Sequence, residues 1–204
     1  MLRPLFAVLL VASLGSTAFA ADISKDPVQA PSGTYKLETQ HSLVLFSVLH
    51  TGLTDYYGRF DRLQGSLRFD GNSPEKSGTI ITIDTTSVDT PSTRLNDTLK
   101  DASVFSSTQF PTAVFKSTAI TRTGPDTGRI EGMLTMKGMT KPVVLDAVFR
   151  GGALNPLTGK YALGFHATGV VKRSDFGMTS AIWSPFVSDD VTLTIEAMFE
   201  QEKN

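Results

Sequence analysis

The chain has no cysteine and only one tryptophan among its 204 residues. Without cysteine it can form no disulfide, so its stability must come from an apolar core, which a chain of this length can build. Basic residues are not in excess either, because 19 Lys and Arg face 20 Asp and Glu, for a net charge of −1. Nucleic-acid-binding proteins normally carry a basic excess, so we expect no nucleic-acid partner.

Long apolar runs are also missing, except at the amino terminus. Arg3 precedes an apolar run over Leu5–Leu14, and Ala18-Phe19-Ala20 then places small residues where a signal peptidase reads. This order is typical of a cleavable signal peptide over residues 1–20. The run is shorter than the roughly 20 apolar residues of a spanning helix. We therefore expect export to the periplasm, with no transmembrane segment after cleavage.

The segment after the signal is polar and contains two prolines. Residues 21–33 are expected to be a flexible lead-in. No linker interrupts residues 34–204, which are expected to form a single domain.

The dominant pattern of that domain is a period of two. In Val191–Glu200, Val, Leu, Ile, Ala and Phe alternate with Thr and Glu, which indicates a strand with one wet face. Turn signals such as Asp70-Gly71-Asn72 and Gly151-Gly152 separate about eight such runs. This arrangement predicts an antiparallel meander, and the period alone leaves a barrel and a sandwich equally open.

Two departures from that pattern carry information. Leu43–His50 and Val143–Phe149 are apolar on both faces, as expected for strands that line an apolar barrel interior and are partly covered outside, or for central sandwich strands. Residues from Ser92 to Phe105 instead show helical spacing of Leu95, Leu99 and Ala102. They predict one short helix, with Ser92 as its cap.

Several short motifs, in order, resemble those of the YceI-like family of periplasmic polyisoprenoid-binding proteins. The resemblance extends from Tyr35 to about Phe199 and includes His50-Thr51-Gly52, Gly58-Arg59-Phe60, Phe110-Pro111, the stretch Gly132–Val143, and Arg173–Gly177. It implies a lipocalin-like antiparallel barrel of eight strands that holds a polyisoprenoid or another long-chain amphiphile. One family motif, Arg-Asp-x-His-Leu, is replaced here by Leu95–Leu99, so the polar contacts of that motif are not carried over.

Candidate ligand contacts follow from the aromatic content and from the resemblance. Of the 13 phenylalanines, each could belong to the core or to a pocket wall. Arg94 and Arg173 could meet an anionic head group or be solvated, and His50 and His166 could lie at a pocket mouth or be structural. The predicted ligand-binding residues are Phe46, Val48, His50, Phe60, Arg94, Leu99, Phe105, Phe110, Phe115, Phe165, His166, Arg173 and Phe176.

Catalytic and metal-binding patterns are weak. There is no Cys nucleophile and no Gly-x-Ser-x-Gly elbow. His41 and His50 lie nine residues apart, about 30 Å along an undistorted strand and too far for one ion. We therefore expect no enzyme, no metal and no cofactor, and a hydrophobic lipid ligand as the partner, with a homodimer left open.

A second function remains open. The same barrel could be a stress-linked extracytoplasmic module whose loops, residues 51–57 and 174–188, bind a protein partner. Trp183 and Phe186 fall in the second loop, and exposed aromatic side chains favour interfaces.

Overall fold

The computed structural model describes residues 22–202, so the predicted signal peptide lies outside the described residues. Ten antiparallel strands form one sheet. Their bounds are β1 Gly33–His50, β2 Thr54–Phe60, β3 Leu63–Phe69, β4 Gly78–Asp84, β5 Val88–Asp89, β6 Thr112–Arg122, β7 Thr127–Met136, β8 Met139–Leu154, β9 Tyr161–Lys172 and β10 Val187–Gln201.

Pairing of the first and last strands closes the sheet into a barrel. One edge of β1 pairs with β10 from Tyr35 to His50. Its other edge pairs first with β3 and then with β2, so β2 and β3 share one position around the barrel. β4 and β5 likewise share one position, because β5 pairs with β2 and β4 pairs with β3. The predicted eight-stranded antiparallel barrel is confirmed, and the sandwich alternative is wrong.

The two ends of the barrel are defined by the direction of β1. The lower end is where β1 begins at Gly33, and the upper end is where β1 finishes at His50. Alternation places Val191, Leu193, Ile195, Ala197 and Phe199 of β10 against the interior, as the period predicts. The apolar core therefore lies inside the barrel.

The second apolar face of the two doubly apolar strands is less covered than expected. Leu49 on β1 is 44% exposed and Val144 on β8 is 37% exposed. The only α-helix among the described residues does not cover them, because it lies across the upper opening, where Leu95, Thr98 and Leu99 face the interior.

This helix, α1, spans Thr93–Lys100 and is shorter than predicted. Ser92 caps it as expected, since its hydroxyl accepts a hydrogen bond from the Leu95 amide at 3.3 Å. It ends at Asp101, whose backbone is extended, and turns lead on to Phe105. Within residues 22–202, no helix is long and apolar enough to cross a membrane.

The segment expected to be a flexible lead-in is attached to the lower end of the barrel. The backbone N–H and C=O of Ser24 exchange hydrogen bonds with Gly152 at 3.0 and 2.8 Å. Pro27 is buried in a short 3-10 turn, and its carbonyl oxygen is so close to Gly71 that no side chain would fit there. These contacts place the segment against the lower end of the barrel, because the backbone groups near its start find partners there.

Candidate functional site

The barrel interior contains a cavity of about 720 Å³. This volume is within the range of about 300 to 1,000 Å³ typical of small-molecule sites. The walls come from strands all around the barrel and are overwhelmingly apolar; among them are Val44, Leu67, Ile81, Ala113, Leu134, Leu145, Ala167 and Leu193. Such a space favours an apolar ligand, since a polar one would lose its hydrogen bonds to water on entering.

Aromatic rings line the lower half of the cavity. Phe149 and Phe165 have ring centroids 5.3 Å apart, and Phe165 lies 6.0 Å from Phe199 in an edge-to-face arrangement. Phe69 adds contacts at 6.2 Å to Phe149 and 6.4 Å to Phe165. Beneath Phe69, Tyr35 is fully buried and its hydroxyl donates to the Pro31 carbonyl at 2.6 Å. We call Phe69, Phe149, Phe165 and Phe199 the lower aromatic cluster.

Two further rings on the wall lie over glycines of neighbouring strands. Gly58 on β2 is paired with Phe46 on β1, and a methyl group added to Gly58 would come within 2.3 Å of the Phe46 ring. Gly132 on β7 pairs with Ser117 instead, but a methyl group added to it would come within 2.4 Å of the Phe115 ring. Because each ring occupies the space that a side chain would take, both rings can lie close to the wall and leave the interior open.

The upper opening is framed by three segments. α1 contributes Leu95, Thr98 and Leu99 to the cavity wall. The β1–β2 hairpin contributes His50, Thr54 and Tyr56. Residues 177–186, which connect the 3-10 turn after β9 to β10, supply the remaining side of the opening, and we call them the rim loop.

Arg173 fastens the rim loop to the barrel. Its Nη1 donates to the Met178 carbonyl at 2.7 Å and to Ser184 Oγ at 3.1 Å. Its Nε donates to the Ser188 carbonyl at 3.0 Å, and its Nη2 to the Val187 carbonyl at 3.3 Å. The guanidinium donors are thus directed at neutral acceptors of its own chain, which gives Arg173 a structural role at the opening.

Two further ionisable groups hold the first residue of the rim loop and the segments that flank the loop. Hydrogen bonds from the Ser174 hydroxyl and amide, together with the Arg173 charge, hold the pKa of the Asp189 carboxyl below its usual range. Burial lowers the pKa of Lys137, whose Nζ donates to the Gly177 carbonyl at 3.2 Å. Both contacts tie the loop to the barrel rather than forming an acid–base pair.

Trp183 lies on the cavity wall, which differs from its expected place on an exposed binding loop. Its ring is partly buried against the core, and the Arg173 guanidinium carbon lies 4.8 Å from the ring centre. Its Nε1 is buried and has no hydrogen-bond partner among the described residues. The neighbouring Ile182 and Phe186 are large apolar side chains of the loop that are exposed, at 83% and 54%.

The structure brings most of the predicted ligand-binding residues together. The ones that line the cavity are Phe46, Val48, His50, Phe60, Leu99, Phe105, Phe115, Phe165 and Arg173. Sequence reasoning missed many aliphatic members of the wall, such as Ile81, Leu134 and Ile195. Their signal was present in the period of two, because each alternates with polar or outward-facing neighbours along its strand.

Two predicted polar contacts lie away from the cavity wall. Arg94 is exposed on α1, whose inward side is formed by Leu95, Thr98 and Leu99. His166 is on the outer face of β9, because adjacent strand residues point to opposite faces and both Phe165 and Ala167 line the cavity. Its Nδ1 lies 2.7 Å from Glu196 Oε1.

Two aromatic residues predicted to contact the ligand also do not line the cavity. Phe110 lies outside the barrel strands. Its ring packs against Gly138 in the β7–β8 turn, where a Cβ atom added to the glycine would lie 3.1 Å from the ring. Phe176 is buried to 1% exposure in the 3-10 turn after β9. Both are packing residues of the upper end.

The comparisons with known proteins agree with this architecture. The profile of the YceI-like domain matches residues 35–199. A UPF0312 protein of Ectopseudomonas mendocina is 34% identical, over 97% of this chain and 99% of that one. Protein YceI of Shigella flexneri is 34% identical over 83% of this chain and 88% of that one.

Solved structures show the same barrel. The Campylobacter jejuni YCEI protein superposes with a TM-score of 0.66 at 30% identity, over 74% of this chain and 88% of that one. BcnA of Burkholderia cenocepacia has a TM-score of 0.72 at 22% identity, over 79% of this chain and 98% of that one. A domain of Saccharophagus degradans described as polyisoprenoid-binding has a TM-score of 0.65 at 16% identity, over 82% and 98%. From the profile match and the curated relatives, the chain belongs to the YceI-like family.

Proposed function

We propose that this protein binds one long-chain amphiphilic lipid, a polyisoprenoid or a lipid of similar shape, inside the barrel. The observation that carries the proposal is the apolar cavity of about 720 Å³, which extends from the upper opening past the lower aromatic cluster to turn residues of the lower end such as Pro74 and Pro125. Burying an apolar chain contributes about 0.8 kcal/mol per methylene group. Tight binding therefore needs few polar contacts.

The comparisons support this choice of ligand class. The Saccharophagus degradans domain with the same fold is described as polyisoprenoid-binding. Family membership also favours a binding protein over an enzyme. The signal pattern of residues 1–20 supports a site of action in the periplasm, where an isoprenoid needs shielding from water.

The head group is proposed to lie at the upper opening. Arg173 lines the cavity there, but its guanidinium donors are directed at chain carbonyls and the Ser184 hydroxyl. Other polar side chains that face the opening are His50, Thr54, Tyr56 and Thr98. These groups suit a head group that hydrogen-bonds and carries little charge.

Native mass spectrometry of protein purified without delipidation tests the proposal. We expect a complex with one lipid per chain, whose extracted lipid is a long-chain amphiphile. Delipidated protein should regain the same mass increment when a long-chain polyprenol is added from ethanol. Protein that carries no lipid and takes up none would contradict the proposal.

A further inference from the structure

A set of exposed apolar side chains surrounds the upper opening. Leu53 in the β1–β2 turn is 81% exposed, Ile182 is 83% exposed and Phe186 is 54% exposed. Tyr57 on β2 adds an amphipathic ring that is 57% exposed. We call Leu53, Ile182 and Phe186 the apolar rim. Large apolar side chains grouped on a surface mark an interaction site more often than single ones do.

Hydrogen bonds hold the two segments of the apolar rim together. The Thr51 amide donates to the Phe186 carbonyl at 2.7 Å, and the Leu49 amide donates to Ser188 Oγ at 3.0 Å. Leu53 itself is placed by a turn in which its amide donates to the His50 carbonyl at 3.0 Å. The hairpin and the rim loop therefore present their exposed side chains as one surface.

The apolar rim is continuous with the cavity. Ile182 and Phe186 line the cavity and are also exposed, and Trp183 between them reaches further inward. A ligand that leaves through the upper opening would pass these side chains. If the opening faced water, the apolar part of the ligand would be exposed during exchange, at a cost that rises with its length.

The charges near the opening do not select a strongly charged partner. On and next to α1, the cations Arg94 and Lys100 alternate with the anions Asp97 and Asp101. Lys172 is paired with Asp190 at 2.8 Å. A partner for this surface therefore has to be apolar and close to neutral overall.

We propose that the apolar rim docks on the surface of a lipid bilayer, so that the upper opening meets the membrane and lipid passes between bilayer and cavity. This inference rests on the proposed function, since the exchanged lipid is the proposed ligand. A bilayer fits because exposed apolar side chains beside an amphipathic aromatic ring, here Tyr57, are the form of surface that lies at a membrane interface. The near balance of charge predicts docking on zwitterionic lipid, with little dependence on salt.

Vesicle flotation with phosphatidylcholine tests this directly. The single tryptophan makes Trp183 a specific reporter, so brominated acyl chains should quench its fluorescence when the opening meets the bilayer. The double variant Leu53→Asp with Tyr57→Asp changes two exposed side chains that do not line the cavity, and it should reduce the fraction floated about ten-fold or more. The matched control is Leu157→Asp, because Leu157 is 93% exposed in the β8–β9 turn at the lower end. It should float like the unaltered protein.

A second arm separates this proposal from the proposed function. Polyprenol is supplied either from ethanol or from the vesicles. The double variant should take it up normally from ethanol and more slowly from vesicles, which would support docking. Unaltered protein that binds polyprenol from ethanol but neither floats nor shows quenching would overturn docking alone. Protein that floats but takes up no polyprenol from either source would contradict the lipid-binding function.

The remaining outcomes also decide the question. A double variant that floats as well as the unaltered protein would show that the apolar rim is not the docking surface. Sedimentation of the unaltered protein as a dimer that the double variant dissociates, without flotation of either, would make the rim a contact between two copies and overturn the proposal.

Discussion

The guanidinium carbon of Arg173 lies 4.8 Å from the centre of the Trp183 ring at the upper opening of the barrel. The same guanidinium donates to carbonyls on both sides of that ring, at Met178 and Val187. One cation therefore fixes both the path of the rim loop and the position of the aromatic side chain on the cavity wall.

Replacing Arg173 should loosen the rim loop. Arg173→Lys keeps the charge, but a lysine ammonium group lacks the planar set of donors with which the guanidinium reaches several acceptors at once. We therefore expect a loss of about 1 to 3 kcal/mol in the free energy of unfolding. Urea unfolding followed by Trp183 fluorescence measures it. Arg94→Lys on exposed α1 is the control and should change stability by under about 0.5 kcal/mol. An Arg173→Lys protein as stable as the control would show that the guanidinium contacts are dispensable.

Adding a methyl group at Gly58 should narrow the cavity. Gly58→Ala places a carbon within 2.3 Å of the present Phe46 ring, so the ring must move into the interior. Overpacking of this kind costs about 1 to 3 kcal/mol. We expect a lower melting temperature and less lipid retained per chain. Gly159→Ala is a useful comparison, since it is strained by its φ of +66° but meets no atom within 4 Å, and it should keep full lipid retention.

A large side chain that fills the interior from another strand should also lower the amount of lipid retained per chain, with little effect on the stability of the fold. Ala197 on β10 lines the cavity and is only partly buried, so Ala197→Phe has room to project inward. Its matched control is Thr192→Phe, which places the same side chain on the exposed outer face of β10. The extracted lipid should fall for Ala197→Phe alone. Equal lipid content in the two variants would argue against an interior ligand.

Tyr35 predicts a specific sensitivity to alkali. Burial, with a smaller contribution from Tyr161, raises the pKa of Tyr35 from 10.0 to about 12. Its stabilising effect is thus complete below pH 10 and is lost as the pH rises through the folded-state value, because the unfolded chain ionises first. Tyr35→Phe should cost about 1 kcal/mol at neutral pH by removing the hydrogen bond to Pro31. That deficit should shrink between pH 10 and 12.

Chemical unfolding at a series of pH values checks the Tyr35 prediction. Tyr57→Phe is the control, because Tyr57 is 57% exposed, and it should follow the unaltered protein at every pH. A deficit for Tyr35→Phe that stays constant up to pH 12 would contradict the assigned cause.

Much of the fold could be predicted because strand alternation is a local property. The inward side of β10 follows directly from the period over Val191–Glu200. The same period predicts that Glu200 is solvent-exposed, but its exposed fraction is only 9%. Asn155 and Thr158 of the β8–β9 turn donate hydrogen bonds to its carboxylate at 2.9 and 2.8 Å. The contacts of Glu200 with a turn 42 to 45 residues away in the chain cannot be predicted from the pattern of its own strand.

The candidate site was predicted less completely, for reasons that differ by residue. The sequence alone could have shown that His166 does not line the cavity. Adjacent residues of a strand point to opposite faces, so His166 cannot face the interior if its neighbour Phe165 does. Phe110 and Trp183 could not be placed, since their positions depend on contacts with Gly138 and Arg173 that join distant segments. The loops at the upper end, where periodicity is absent, therefore hold most of what the sequence left open.

The most direct test of the account is a crystal structure of the protein loaded with a long-chain polyprenol. We predict continuous ligand density inside the barrel, with the hydroxyl near His50 and Tyr56 and the chain running down toward Phe165 in the lower aromatic cluster. A cavity closed by its own side chains, or a polyprenol bound only on the outer face of the barrel, would contradict it.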